Sequence, residues 1–207
     1  MYARSTTVNG DPTKIDDGVA FLRETVMPTL KRTDGCVGLS MLADRESGRC
    51  IATTSWSDEE SMRASAEQLR PVSDRFAATL GGPEADVRSW EIAIVHRKTR
   101  VGEGAGAQVT WARIQPNRLD ALLDAYRINL MPKLEELPGF ASVSMMVDRR
   151  QGRTVSVTRF EDRASLDRIR KRARLMREEF ALAMGAGIID VAEMDLVFAH
   201  LGVPETV

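Results

Sequence analysis

The fold is decided by the stretch FASVSMMVDRRQGRTVSVTRF at residues 140–160. Two runs rich in apolar and β-branched residues flank the turn sequence from Asp148 to Gly152, and this pattern predicts a β-hairpin. A matching stretch, CVGLSMLADRESGRCIATTSW, occupies residues 36–56, which lie 104 positions earlier. The chain therefore contains the same hairpin twice.

The match at this offset of 104 residues extends over nearly the whole chain. It includes Met27 with Met131, Gly35 with Gly139, Phe76 with Phe180 and His96 with His200. A period near 100 residues is longer than the roughly 20–50 residues of a solenoid repeat, so it indicates a duplicated domain. The glycine-rich segment 98–107 predicts a flexible linker between domains at 1–97 and 108–207.

Each copy predicts the element order βαββαβ. In the second copy, a strand at 108–114 precedes a helix whose apolar face runs from residue 119 to 134. Pro132 lies late in that helix and is expected to kink or end it. After the hairpin, Asp162 is an expected N-cap for a second helix, and a final strand follows at 191–201.

In this topology both helices cover one face of the sheet, and the other face needs a partner. The second copy is the obvious partner, because two such sheets can bury a shared core. The sequence thus predicts an α+β fold of two tandem ferredoxin-like βαββαβ domains forming an intramolecular pseudo-dimeric α+β barrel.

Composition excludes several classes of function. The 207 residues are 43% hydrophobic and 29% charged, and their formal net charge is -1. The net charge of the chain therefore gives no electrostatic attraction to nucleic acid or to an anionic membrane. No apolar run approaches the roughly 20 residues of a membrane helix, and the N-terminus lacks the apolar core of a signal peptide. We expect a cytoplasmic protein whose Cys36 and Cys50 are free buried thiols, with no metal site.

Three motifs carry a resemblance to a known family. They are Met-Pro-x-Leu before Gly35 and Gly139, the hairpin Asp-Arg-x-x-Gly-Arg, and the strand ends that begin at Thr54 and Thr158. With these motifs the chain resembles the antibiotic-biosynthesis-monooxygenase-like family of the dimeric α+β barrel superfamily. Members of that family usually dimerise to form the barrel, so this chain looks like a fused version, and a further homodimer stays open.

The resemblance implies a pocket for a small ligand. Some family members oxygenate polycyclic aromatic compounds without metal or flavin, and others bind or degrade haem. The haem-degrading branch carries a tryptophan and a histidine on its second helix, and neither residue occurs there in this chain. Haem degradation is therefore disfavoured, and no cofactor is expected.

Three aromatic residues are candidate ligand contacts. Trp56 ends the third strand and Phe160 is its counterpart, so each is either a packing anchor or a pocket wall. Trp111 corresponds to Thr7, which suggests that only one half keeps a binding role, although a change in core packing explains the difference equally well. Offset stacking on such rings suits an aromatic ligand.

Polar candidates complete the predicted site. Ser142 and Ser144, like the Thr and Ser residues at 154, 156 and 158, give one sheet face small side chains. That face either leaves a cavity under the helices or lets two sheets approach closely. Tyr126 could supply a hydroxyl to the cavity, Arg113 a cation, and His200 an acid or base.

We therefore predict a cofactor-independent monooxygenase acting on a small aromatic or polycyclic compound, with Tyr126, Arg113 and His200 as the catalytic candidates. The alternative is a non-catalytic ligand-binding or stress-response module, because most recurring residues are structural. Haem binding through His96 or His200 is a third hypothesis. The basic run from Arg168 to Arg177 is interpreted as a solvated helix face.

Overall fold

The structure is a computed structural model that describes residues 1–206, except for the side chain of Leu201. The predicted second domain ends at Val207, which lies outside the described residues. The element order is βαββαβ in each half, as predicted. Each long first helix is divided by a π-helical turn into two α-helical segments, and the second helix of the first half is also divided.

The strands and helices of the first half have the following bounds. They are β1 Tyr2–Asn9, α1 Ile15–Phe21, α2 Met27–Leu30, β2 Cys36–Ala43, β3 Arg49–Trp56, α3 Glu59–Ala64, α4 Ala66–Thr79 and β4 Asp86–Arg97. The π-helical turn Leu22–Val26 joins α1 to α2.

The second half repeats this arrangement with one continuous last helix. Its elements are β5 Gly106–Arg113, α5 Leu119–Ala125, α6 Met131–Glu135, β6 Phe140–Asp148, β7 Arg153–Phe160, α7 Arg163–Met184 and β8 Gly187–Leu201. The strand β5 begins at Gly106, so it includes the last two residues of the predicted linker.

The eight strands are hydrogen-bonded in the order β1-β3-β2-β8-β5-β7-β6-β4, and the sheet closes into a barrel. The predicted α+β barrel fold is confirmed. Two compact units share the strands. The first contains Met1–Trp90 and Asp195–Val203, and the second contains Glu91–Met194 and residues 204–206. The units therefore divide within β4 and β8, whereas the sequence repeat places its predicted boundary in segment 98–107.

The length of β4 and β8 explains this division. With 12 and 15 residues they exceed the other strands, so each can contribute pairs to both units. Residues 195–201 of β8 pair with β2 in the first unit. Residues 91–97 of β4 pair with β6 in the second unit.

Each unit has its own core between its helices and one sheet face. In the first unit Trp56, Phe76 and Leu80 are at most 2% exposed. In the second unit Phe160 and Leu166 are equally buried. Full burial of one such side chain contributes about 1.5–3 kcal/mol, so these cores stabilise both units.

Local sequence signals set the helix ends. The Asp162 carboxylate accepts a hydrogen bond from the Ser165 backbone N–H at 2.6 Å, which confirms the predicted N-cap. The regular first helix of the second unit gives way to the π-helical turn Tyr126–Leu130 just before Pro132. This interruption agrees with the prediction, because proline cannot complete the α-helical hydrogen-bond ladder.

Both cysteines are free, as predicted. Cys50 is buried, and its burial raises the pKa of the thiol to about 12. Cys36 is only half-buried, so the prediction of a buried thiol was wrong for this residue. Cysteine reacts as the thiolate, so the Cys50 side chain is a small apolar group at neutral pH.

Candidate functional site

A cavity lies between the sheet and the helices of the second unit. It leaves about 70 Å³ to the centres of water molecules, several times the space that one water requires. Strands β5 and β7 supply its polar wall, while α5, the π-helical turn and α7 supply most of its apolar wall. Its lining includes Gln108, Thr110, Tyr126, Met145, Thr154, Ser156, Thr158, Phe160, Ala173, Arg177 and Phe180.

The phenol of Tyr126 forms the polar centre of this cavity. Its side chain is 3% exposed, and its hydroxyl shares hydrogen bonds with the side chains of Ser156 and Thr158. Burial raises the pKa of Tyr126 to about 12, an effect that the two hydrogen bonds only reduce. Tyr126 is therefore a neutral hydrogen-bonding group at pH 7.

A guanidinium group also lines the cavity. The Arg177 Nη1 donates a hydrogen bond to the Oε1 of Gln108 at 2.7 Å, and both side chains belong to the lining. The Nε of Arg177 is buried and has no hydrogen-bond partner among the described residues. Desolvation lowers the pKa of Arg177, but an arginine keeps its charge in a protein.

Aromatic and aliphatic side chains complete the walls. The rings of Tyr126 and Phe180 meet edge-on, and the ring of Phe160 meets Phe140 in the same way at a centroid distance of 6.4 Å. The larger aliphatic side chains of the lining are Leu122, Leu130, Leu134, Met145 and Ile188. The cavity thus combines a largely apolar interior with a few polar groups, which is typical of sites for small organic molecules.

The first unit has a smaller cavity of about 40 Å³ at the equivalent place. Leu22 stands there in place of Tyr126, and Ala52 in place of Ser156. Leu69 stands in place of Ala173 and fills space that the second unit leaves open. The cavity of the second unit is therefore both larger and richer in hydroxyl groups, which makes it the candidate site.

The cation of the first cavity comes from a different element. Arg4 on β1 occupies the position of Gln108 and donates hydrogen bonds to Ser65 Oγ at 3.1 Å and to the carbonyl of Met62. Its guanidinium also lies 5.7 Å from the ring centroid of Trp56. Arg4 is thus held by protein groups at the break between α3 and α4, unlike Arg177 with its unpaired Nε.

The structure brings together only part of the predicted site. Tyr126 and Phe160 line the cavity of the second unit. Trp111 pairs with Val155 on the opposite sheet face, and Arg113 is exposed at the end of β5. Neither lines the cavity, and their predicted roles stay predictions.

Two further candidates lie in the first unit. Trp56 is fully buried, and its Nε1 donates a hydrogen bond to Thr54 Oγ1 at 3.0 Å. His200 is exposed on β8, whereas its counterpart His96 in the second unit is 18% exposed and lies against the Glu135 carboxylate. His200 therefore belongs to the other unit from Tyr126.

The interpretation of Ser142 and Ser144 as part of the same small-residue face as Ser156 was wrong. In the register of β6 with β7, Met145 is the partner of Ser156, and Ser144 is the partner of Val157. Partners across a ladder share a face, so both serines point to the sheet face away from the helices. Ser142 and Ser144 do alternate with Val143 and Met145 as read in sequence, but the register of the hairpin turns Val143 and Met145, and not the serines, to the face of Ser156.

Gln108 and Arg177 were missed as cavity residues. Arg177 was assigned to a solvated face because it ends a basic run. It lies four residues after Ala173 and three before Phe180, so it shares their buried helix face. Gln108 alternates with Val109 on β5 and pairs with Thr158. Helical spacing and strand alternation were thus the signals that could have found both residues.

No group of three or more His, Cys, Asp or Glu residues within residues 1–206 could hold a metal ion. No histidine lines either cavity in that range. Within the same range, no helix is both long and apolar enough to cross a membrane.

The closed barrel and the helix-covered cavity define the class of fold, that of the antibiotic-biosynthesis-monooxygenase-like dimeric α+β barrels. An anthrone oxidase-like protein superimposes with a TM-score of 0.69 at 12% identity, covering 99% of this chain and 94% of that one. A monooxygenase-like protein from Listeria innocua gives 0.54 at 9% identity, covering 95% and 94%. A heme-degrading enzyme from Listeria monocytogenes gives 0.55 at 8% identity, covering 94% and 99%.

Sequence comparison then gives the family, although no family model matches the chain. Uncharacterized protein Rv2558 of Mycobacterium tuberculosis is 45% identical over 208 residues, covering 100% of this chain and 88% of that protein. Uncharacterized protein Rv2557 of the same organism is 42% identical over 207 residues, covering 100% and 92%. The chain belongs to the family of these two proteins.

Proposed function

We propose that the cavity of the second unit binds a small aromatic compound and that the protein is a cofactor-independent monooxygenase. The observation that carries the proposal is the buried Tyr126 hydroxyl, which Ser156 and Thr158 orient inside an otherwise apolar cavity. The fold is shared with an anthrone oxidase-like protein, which supports an anthrone-like phenol as the first substrate to test.

The reaction balances without a cofactor. Anthrone and O2 give anthraquinone and water: one oxygen atom forms the new carbonyl, and the other leaves as water with the two methylene hydrogens. The substrate itself supplies the electrons that reduce oxygen, once it has lost a proton to become an anion. The protein then has to bind this anion and exclude water from it.

Tyr126 is suited to stabilising the anion. Because burial raises its pKa to about 12, the phenol stays protonated at neutral pH and can donate its O–H to a substrate oxyanion. Ser156 and Thr158 hold the phenol oxygen in place, so little reorganisation is needed during the reaction. The apolar walls strengthen this hydrogen bond by keeping the local dielectric constant low.

Oxygen uptake with anthrone tests the proposal. We expect uptake by the wild-type protein and a loss of about 100-fold in Tyr126→Phe, the effect of removing one preorganised hydrogen-bond donor. Tyr2→Phe is the matched control, since it deletes the only other phenol hydroxyl, which lies in the first unit. Absence of uptake by the wild type, or equal loss in both variants, would reject the proposal.

Ligand binding without turnover is the second candidate function. The aliphatic wall formed by Leu122, Leu130 and Met145 favours it, because these side chains provide apolar surface for a ligand and carry no group that can take part in a reaction. Binding of anthrone under air with no oxygen consumption would support this function. Haem binding through His96 or His200 stays a prediction, and an absorption titration with hemin tests it.

A further inference from the structure

Arg177 stands at the wall of the cavity without a direct ion pair among the described residues. The two carboxylates that act on its charge, Glu178 and Glu193, pair with Arg174 and Arg170 instead. The one hydrogen bond of Arg177 to a side chain goes from Nη1 to Gln108, a neutral amide, and its buried Nε has no partner among the described residues. A guanidinium has five N–H donors in a fixed plane, and a carboxylate accepts two of them side by side. The N–H at the Nε of Arg177 is therefore a hydrogen-bond donor that no protein group uses among the described residues, and a bound ligand can accept from it.

The first unit shows how the fold satisfies such a cation when it has a structural role. There Arg4 donates to the Met62 carbonyl and to Ser65 Oγ, and it lies against the Trp56 ring. Ser73 occupies the position of Arg177. The first unit thus needs no cation at this point of the helix, so the fold does not require Arg177.

Gln108 gives the guanidinium a fixed position. The amide oxygen accepts from Nη1, and the side chain is 8% exposed on β5, next to the β7 hydroxyl groups. A neutral partner orients the guanidinium without cancelling its charge. An aspartate or glutamate at this position would instead have formed a buried ion pair and closed the site to an anion.

We infer that the cavity of the second unit binds aromatic compounds that carry a carboxylate, with Arg177 as the anion-binding residue and Gln108 as its positioning residue. This inference rests on the proposed function, because it assigns a ligand class to the same cavity. The apolar walls contact the ring, while the Nε and a second N–H of Arg177 donate to the carboxylate.

Equilibrium binding measured by calorimetry tests the inference with 2-naphthoate and its neutral counterpart 2-naphthamide. We expect the wild-type protein to bind 2-naphthoate about tenfold more tightly or better, the effect of a charge-assisted hydrogen bond. Arg177→Met should lose this preference and keep its affinity for 2-naphthamide. Arg177→Lys should keep part of the preference, because it retains the charge without the planar pair of donors.

Lys171→Met is the matched control, since it removes one positive charge from the exposed surface of the same helix and Lys171 is not among the groups that act on the charge of Arg177. It should leave both affinities unchanged. Thermal unfolding of every variant checks that it folds, and Arg177→Gln replaces Arg177→Met if the latter does not. Binding of neither ligand, equal binding of both by the wild type, or a preference that survives in Arg177→Met would overturn the inference.

These outcomes are distinct from those of the oxygen-uptake assay. A carboxylate preference without oxygen uptake would support the ligand class and reject the monooxygenase. Anthrone carries no carboxylate. Oxygen uptake with anthrone together with equal binding of the two naphthalene ligands would support the monooxygenase and reject the carboxylate preference.

Discussion

The ring of Phe180 on α7 meets the ring of Tyr126 edge-on, with 5.6 Å between their centroids and 88° between their planes. Together with the hydrogen bonds to Ser156 and Thr158, this contact fixes the phenol from two sides. Tyr126 begins a π-helical turn, and Leu22 begins the equivalent turn in the first unit, so this turn belongs to the shared fold of the two units.

The burial of Tyr126 predicts a specific dependence of stability on pH. The phenol has a pKa of about 12 in the folded protein, against roughly 10 in an unfolded chain. A pKa raised by folding contributes stability that is present below about pH 10 and is lost as the pH rises towards 12. The expected loss is on the order of 2–3 kcal/mol.

Urea denaturation over this pH range measures the effect. Other groups also titrate there, so the quantity to compare is the difference in free energy of unfolding between the wild-type protein and Tyr126→Phe. That difference should decline between about pH 10 and pH 12. A constant difference would mean that the phenol is exposed to solvent.

The sequence predicted the fold because its main signals are local or repeated. The offset that matches Met27 with Met131 identified the duplication, and the Asp162 cap and the interruption before Pro132 follow from backbone hydrogen bonding alone. The division of β4 and β8 between two units was not predicted. It depends on which strands pair over long sequence separations, and no local pattern encodes those pairings.

The candidate site was predicted only in part for a similar reason. Tyr126 was found because helical spacing places it on the buried face of its helix. Ser142 was assigned to the wrong face because the register between β6 and β7, which decides which residues of the two strands share a face, cannot be read from the alternation of either strand alone. Arg177 was overlooked within a run of solvated arginines, although helical spacing places it on the face of Ala173 and Phe180. Its hydrogen bond to Gln108, 69 residues away, could not be predicted from local spacing.

The turn between β6 and β7 depends on the left-handed backbone conformation of Gly152. Gly152 has a φ of 62°, and a Cβ atom added there would clash with the carbonyl oxygen of Ile114. Gly152→Ala should therefore lower the free energy of unfolding by at least about 1–2 kcal/mol. Gly102→Ala is the control, because no atom lies within 4 Å of its added Cβ. Equal stability of the two variants in urea denaturation would contradict the turn geometry.

The comparison of the two cavities predicts that Ala173→Leu closes the candidate site without unfolding the protein. Leu69 already occupies the equivalent position in the first unit, where the cavity is about 40 Å³ instead of about 70 Å³. Filling a cavity commonly adds about 0.5–2 kcal/mol of stability. We expect an unchanged or higher melting temperature together with loss of ligand binding in calorimetry. Retained affinity would show that ligands bind elsewhere.

The reciprocal variant Leu69→Ala tests whether the volume of a cavity or its polar side chains decide ligand binding. Leu69 is 5% exposed, so truncating it should cost about 2–5 kcal/mol in the free energy of unfolding. The first cavity would then have the room of the second, but it would still have Leu22 and Ala52 in place of Tyr126 and Ser156. If the hydroxyl groups and Arg177 define the site, Leu69→Ala gains no second binding site in calorimetry. A second equivalent of bound 2-naphthoate would instead show that volume alone decides binding.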